Sequence, residues 1–112
     1  MSRGSENLQF IYVTTTGRVT GKPREIEIWF VESGDNLYIL AEHFLKTQWV
    51  RNIVRNPRIR VRMGESERGG TARILNREAD SDAWEKAQQL AREKYGWGDG
   101  LPVEITLDEE GG

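Results

Sequence analysis

Between Gly17 and Arg24 the chain reads GRVTGKPR, which gathers three cations, a hydroxyl, two glycines and a proline. Glycine at 17 and 21 admits positive φ and leaves backbone N–H groups unobstructed. Successive N–H groups in such a turn form an anion-binding nest. Arg18, Lys22 and Arg24 add charge, and an arginine can grip a phosphate through two parallel hydrogen bonds. Thr20 adds a hydroxyl donor, and Pro23 fixes the loop's exit. The competing reading is an ordinary hairpin loop with solvated cations. No helix follows, so the pattern is neither a Walker loop nor a dinucleotide fingerprint.

Trp29 and Trp49 are the aromatic candidates. A flat heterocycle needs an apolar wall and a few polar groups to orient it. Trp29 falls on the wet face of a strand near the loop exit, and Trp49 in the first turn of a helix. Both also read as core residues. His43 is the only histidine, and a lone histidine is more often structural than catalytic. Tyr12, Tyr38 and Tyr95 each carry a proton to give, and spacing does not rank them. No His/Asp/Glu set has metal-ligand spacing, so no metal is expected. Arg58, Arg60 and Arg62 alternate with Ile59, Val61 and Met63, which is one way to track a nucleic-acid backbone. No aromatics are interleaved with them and the net charge is −2. No nucleic-acid partner is therefore expected; arginines on an outer face also blunt sheet edges.

These residues must be positioned by a chain of 112 residues, one domain by length. We expect an ordered core over residues 8–107, with tails at 1–7 and 108–112. There is no cysteine, so disulfides, thiolate metal sites and cysteine nucleophiles are excluded. No apolar run approaches the roughly 18 residues that a membrane span needs. The start, MSRGSENLQ, has no apolar leader segment, so a cytoplasmic location is expected. Charge is uneven: residues 1–62 carry ten Lys/Arg against six Asp/Glu, and residues 63–112 six against twelve. The basic half holds the loop and the arginine run, which suggests an anionic partner there.

Alternation predicts strands at Phe10 to Thr16 and Glu25 to Val31, and Leu37 to Ala41, apolar on both faces, reads as a central strand; the three are joined as a meander. Ser33 to Asn36 reads as a hairpin turn. A helix over Thr47 to Arg55, with Thr47 as N-cap, stops at Asn56-Pro57. Arg58 to Met63 and Thr71 to Leu75 follow as strands, separated by a Gly-rich turn from Gly64 to Gly70. Asp80-Ser81-Asp82 caps a helix ending near Tyr95, with Glu85 completing a capping box if Asp82 is the cap. Gly96 to Gly100 breaks the chain before a last strand, Leu101 to Leu107. The expected fold is mostly β (α+β): a split β-barrel of about six antiparallel strands with two flanking helices.

The runs TTTGRVTGKPR, EIEIWFV and QWVRNIVRNPRIRVRM, in that order, resemble the deazaflavin-dependent nitroreductase family. Its members are small split-barrel oxidoreductases that use coenzyme F-420, similar in fold to flavin-binding pyridoxamine-phosphate-oxidase-like proteins. The resemblance covers Phe10 to Leu75 well and the C-terminal helix and strand loosely. It implies that Arg18, Thr20, Gly21, Lys22, Pro23 and Arg24 bind the phosphate and polyglutamyl tail of the coenzyme. It implies Trp29, Ala41 and Trp49 near the deazaflavin ring, with Asn52 and Asn56-Pro57 as structural parts of the helix. Relatives carry a Gly-rich segment after the third strand; here Glu42-His43-Phe44-Leu45-Lys46 stands instead. The implied activity is hydride transfer to a small conjugated electron acceptor such as a quinone, enone or nitro compound. His43 or Tyr95 would quench the anion formed. Barrels of this type commonly pair, so a homodimer is expected. FMN or haem as occupant, and a non-enzymatic carrier of cofactor or apolar ligand, stand as alternatives.

Overall fold

The computed structural model describes residues 8–109. Seven strands form one antiparallel sheet: β1 (Phe10–Thr16), β2 (Pro23–Trp29), β3 (Val31–Ser33), β4 (Asn36–Ala41), β5 (Arg58–Met63), β6 (Ser66–Ile74) and β7 (Leu101–Leu107). Helix α1 (Gln48–Arg55) lies between β4 and β5, and α2 (Ser81–Tyr95) between β6 and β7. The spatial order is β2-β1-β5-β6-β7-β4-β3. This order forces the sheet to curl. Laid flat, seven strands would put the outer two about 29 Å apart at the usual inter-strand spacing. Yet β2 and β3 are consecutive in the chain, separated by Phe30 alone. The two edges therefore meet at that corner, and the sheet is a barrel with a seam there.

Two readings of the sequence are corrected by this topology. Glu25 to Val31 is not one strand but two, and the expected meander does not form. β2 pairs with β1, whereas β3 pairs with β4 across the Gly34 hairpin. Nor is Gly64 to Gly70 a long turn. The hairpin closes at Gly64-Glu65, and β6 runs through both Gly69 and Gly70. Gly70 stands in the strand because a Cβ there would lie 2.9 Å from the Thr106 carbonyl oxygen of β7. Strand count rises from six to seven for the first of these reasons, while the split-barrel architecture stands.

The alternation of β1 and β5 sends Ile11, Val13, Ile59 and Val61 into the barrel, where they meet Phe30, Ile39, Val103 and Ile105. Helix α2 covers the other face of β4 with Trp84, Ala87 and Ala91 against Tyr38, Ala41 and Leu101. Both ends of α2 are tied down. Its N-cap is Asp80, not Asp82, and that carboxylate accepts from Asn76 N (2.8 Å) and Arg73 (3.1 Å). Arg73 also reaches Glu104 of β7 at 3.1 Å, and Glu104 accepts from Tyr38 of β4 at 2.7 Å. At the far end, Lys94 Nζ donates to the Phe30 carbonyl at 3.0 Å, and Gly96 closes the helix in the left-handed region.

The arginines of β5 do stand outward, each beside a carboxylate. Arg58 meets Asp108 at 2.7 Å, Arg60 meets Glu67 at 3.4 Å, and Arg62 meets Glu25 at 3.6 Å. Each of these arginines is therefore paired on the surface. Asp108 N also donates to the Gly69 carbonyl, so the chain stays on the sheet past residue 107. The rest of the two expected tails, 1–7 and 110–112, lies outside the described residues. No helix among the described residues is long and apolar enough to cross a membrane.

Candidate functional site

Two cavities share Trp49 as a common wall. One, of about 360 Å³, lies between the Gly17–Arg24 turn and α1, and its lining includes Arg18, Thr20, Arg24, Gln48 and Asn52. The other, of about 580 Å³, sits at the barrel seam between β2, β4, the segment after β4 and the end of α2. The packing of Trp49 agrees with this position, since it touches both the barrel core and the cluster under α2. The helical spacing of Gln48 and Asn52, one turn apart, puts both side chains toward the cationic turn.

Asn52 is the keystone of the smaller cavity. It is 5% exposed, and every polar atom of its side chain is used. Its Nδ2 donates to Thr15 Oγ1 at 3.1 Å, and its Oδ1 accepts from Arg18 N at 3.2 Å and Arg18 Nη1 at 2.9 Å. Arg18 Nη2 donates to Gln48 Oε1 at 2.7 Å. The guanidinium is thus held by neutral amides, which orient it without cancelling its charge. Among the described residues, neither Arg18 nor Lys22 nor Arg24 forms an ion pair.

The turn's backbone does not form the open nest that its glycines suggest. Gly17 N donates to the Lys22 carbonyl and Gly21 N to the Gly17 carbonyl, both at 2.8 Å. Lys22 N bonds Thr20 Oγ1 at 3.2 Å, and Arg18 N is taken by Asn52. Gly21 is needed for its φ of +75°, which closes the turn. These bonds use the turn's backbone groups internally, and its exposed donors are the side chains of Lys22 and Arg24.

The larger cavity is walled by aromatics, among them Phe10, Trp29, Trp49, Tyr95 and Trp97. Trp29 and Tyr95 stack with ring centroids 4.4 Å apart and planes 2° from parallel. Trp29 remains 48% exposed, so the outer face of this stack is open. The Tyr95 hydroxyl is already committed to backbone. It accepts from Phe30 N at 3.1 Å and lies 2.8 Å from the Phe30 carbonyl and 2.5 Å from that of Gln9. Tyr38 also lines the cavity; burial, and then its hydrogen bond to Glu104, push its hydroxyl above the ordinary tyrosine range. Glu27, Glu42 and His43 supply the polar edge.

Of the residues singled out from sequence, Arg18, Thr20 and Arg24 line the small cavity, and Gly21, Lys22 and Pro23 complete its turn. Trp29, His43 and Tyr95 line the large one, and Trp49 lines both. Ala41 is buried at 1% exposure and lines neither, packed behind the cavities near Leu101. Sequence reasoning assigned Asn52 only a structural part and missed Gln48, Phe10, Trp97 and Glu27 as lining residues. Trp97 had a signal in its flanking glycines; the others are brought in by long-range pairing that periodicity does not show. Among the described residues no group of His, Asp and Glu is arranged to hold a metal.

A curled antiparallel sheet, two external helices, and a cavity at the seam where the sheet edges meet define a split β-barrel of the flavin-binding, pyridoxamine-phosphate-oxidase-like type. Solved structures agree. An F-420-H2 dependent reductase (FDR-A) is 25% identical, with 89% of this chain and 94% of that one covered and a TM-score of 0.65. The haem storage protein HutZ from Vibrio cholerae is 17% identical over 97% and 87% of the two chains, with a TM-score of 0.72. A pyridoxamine 5'-phosphate oxidase-type protein from Listeria innocua is 19% identical over 95% and 89%, with a TM-score of 0.64. No curated protein matches. The model of the F-420H(2)-dependent quinone reductase family matches residues 2–108, and the chain belongs to that family. It is therefore a reductase of the quinone-reductase type, from a family that works with the deazaflavin coenzyme.

Proposed function

We propose that the cavity beside the cationic turn takes the anionic tail of coenzyme F-420, and that the aromatic cavity takes a small conjugated acceptor such as a quinone, enone or nitro compound. One observation carries the reading: Arg18 is fixed by the neutral oxygens of Asn52 and Gln48 and keeps its full charge, beside a wall shared with an aromatic cavity. The donor set fits such a tail, because three cations without ion pairs and the Thr20 hydroxyl meet phosphate and carboxylates. When bound, the coenzyme supplies the hydride.

The chain's own residues position and protect. Arg18, Lys22 and Arg24 anchor the tail, with Gly21 and Pro23 shaping the turn beneath them. Trp49 stands between tail and acceptor and sets how the ring lies. Ala41 keeps the end of β4 small behind that wall. Trp29, stacked on Tyr95, gives a flat face that excludes water from one side of the acceptor. His43, on the lining of the aromatic cavity, delivers the proton to the reduced acceptor in this reading. Tyr95 was the other candidate for that task, but its hydroxyl proton is given to a backbone carbonyl, so its part is the ring. The cytoplasmic location expected from sequence belongs to the same proposal.

Titration with oxidised coenzyme, followed by tryptophan fluorescence, tests the reading. Saturable quenching is expected with a dissociation constant on the order of tens of micromolar or tighter. Arg18→Ala should weaken it roughly 10- to 100-fold, the worth of a hydrogen bond to a charged group. Absence of saturable quenching in the unsubstituted protein overturns the assignment. FMN would meet the same cations with its single phosphate; it predicts a yellow protein on purification. A carrier would bind without turning over any acceptor.

A further inference from the structure

The two cavities that share Trp49 carry opposite charge. The small one is lined by Arg18 and Arg24 and by no carboxylate. The large one is lined by Glu27 and Glu42 and by no lysine or arginine. Both glutamates are exposed, so they stand at its open edge. Glu27 accepts a hydrogen bond from the Tyr12 hydroxyl at 3.0 Å, which holds its carboxylate in place. Among the described residues neither glutamate is in an ion pair. Two cations stand near this lining and both are engaged: Lys94 Nζ bonds the Phe30 carbonyl at 3.0 Å and lies 4.0 Å from the Phe30 ring centroid, and Arg62, 4.1 Å from the Tyr12 ring centroid, pairs with Glu25 at 3.6 Å. His43 is the one basic group on the lining.

We propose that the aromatic cavity selects its acceptor by charge. It takes flat conjugated molecules that are neutral or cationic and rejects those bearing a sulfonate, carboxylate or phosphate. The physical reason is direct. The stacked Trp29 and Tyr95 offer dispersion to any flat ring, whatever its substituents. The two carboxylates add repulsion only for an anion, in a recess whose apolar walls focus the field. The same arrangement keeps the anionic tail of the coenzyme out of the acceptor site and leaves it the cationic cavity. This inference rests on reading the aromatic cavity as the acceptor site.

The test uses the protein without coenzyme and two ligands with one ring system, 1,4-naphthoquinone and 1,4-naphthoquinone-2-sulfonate. Tryptophan quenching gives each affinity. The titrations are run in an R18A/R24A background as well, so that sulfonate held by the cationic turn is not counted. The neutral quinone is expected to bind about tenfold more tightly than the sulfonate. E27Q/E42Q should bring the two within about threefold, and about 0.5 M salt should narrow the gap in the unsubstituted protein, since exposed charges are screened. The salt arm stands even if the double variant folds poorly. Equal binding of the two ligands, or a gap that neither salt nor the substitutions change, overturns charge selection and leaves the reductase reading intact. A neutral quinone that does not bind at all overturns charge selection together with the acceptor-site reading, and the coenzyme titration then stands alone.

Discussion

Phe44 shows how a single residue can hold strain beside a site. It is the only residue other than glycine with positive φ among the described residues, at +51°. For a bulky side chain that region costs roughly 1–2 kcal/mol. Phe44 begins a short 3-10 turn over Phe44–Lys46, directly after Glu42 and His43 of the aromatic cavity. Its ring contacts Trp84 of α2 at 6.3 Å between centroids, yet it stays 39% exposed. The segment Glu42 to Lys46 holds no glycine, yet its backbone at Phe44 adopts a conformation that suits one. Phe44→Ala keeps the strain and loses the Trp84 contact; Phe44→Gly loses the contact and removes the strain. Thermal unfolding should therefore find the glycine variant more stable than the alanine variant by about 1 kcal/mol. Equal stabilities would mean that the turn relaxes around Phe44. From sequence the absence of glycine was visible, but the φ it implies was not, because dihedral angles follow from the closing of the turn.

At the scale of elements, one carboxylate holds the loop that leads into α2. Hydrogen bonding from Asn76 N, and then from Arg73, holds Asp80 below the ordinary carboxylate range. Asp108 is likewise lowered, chiefly by the hydrogen bond from Arg58. A depressed carboxyl stabilises the fold above its unfolded value and loses that contribution as pH falls through the folded one. Stability should thus decline on acidification below about pH 4. Asp80→Asn should flatten that acid limb while lowering the melting temperature near neutrality. An unchanged limb, measured by melting temperature against pH, would exclude Asp80 as a contributor. Elements themselves were largely legible. Alternation marked β1 and β5, the glycine break at 96–100 marked the start of β7, and Asn56-Pro57 marked the end of α1. The break between β2 and β3 was not, because Ile26, Ile28 and Phe30 alternate straight through it with no glycine or proline to signal a bend. Glycines misled in β6, where Gly70 serves close packing against β7 and not a turn. Asp80 rather than Asp82 is the N-cap of α2, and its carboxylate is engaged by Arg73 and by Asn76 of the preceding loop.

For the whole molecule, the outer strand β2 matters most. Its free edge carries Glu25 and Glu27 beside half-buried Ile26 and Ile28, and Val19 of the adjoining turn is 87% exposed. An unpaired edge with apolar neighbours is a template for association. We therefore expect a dimer, with light scattering giving twice the protomer mass of 12.9 kDa. A monomer at tens of micromolar would refute it. The expected barrel, its helices and the cationic turn could be read from local pattern. The shared wall at Trp49 could not, since tertiary packing creates it, nor could the Asn52 clamp, which joins residues 34 or more positions apart.

The Tyr95 hydroxyl joins Gln9, the Phe30 corner and the end of α2, across sequence separations of 86 and 65 residues. During synthesis β1 and β2 leave the ribosome long before Tyr95 exists, so the seam cannot be latched until nearly all the barrel has been made. Closure is then a late event on the folding pathway. Tyr95→Phe should accelerate unfolding by the larger factor and leave the refolding rate close to unchanged. The total cost should be about 1–3 kcal/mol, the penalty for an orphaned Phe30 N–H. Stopped-flow chevrons read both limbs, and a slowed refolding limb would place the latch early instead.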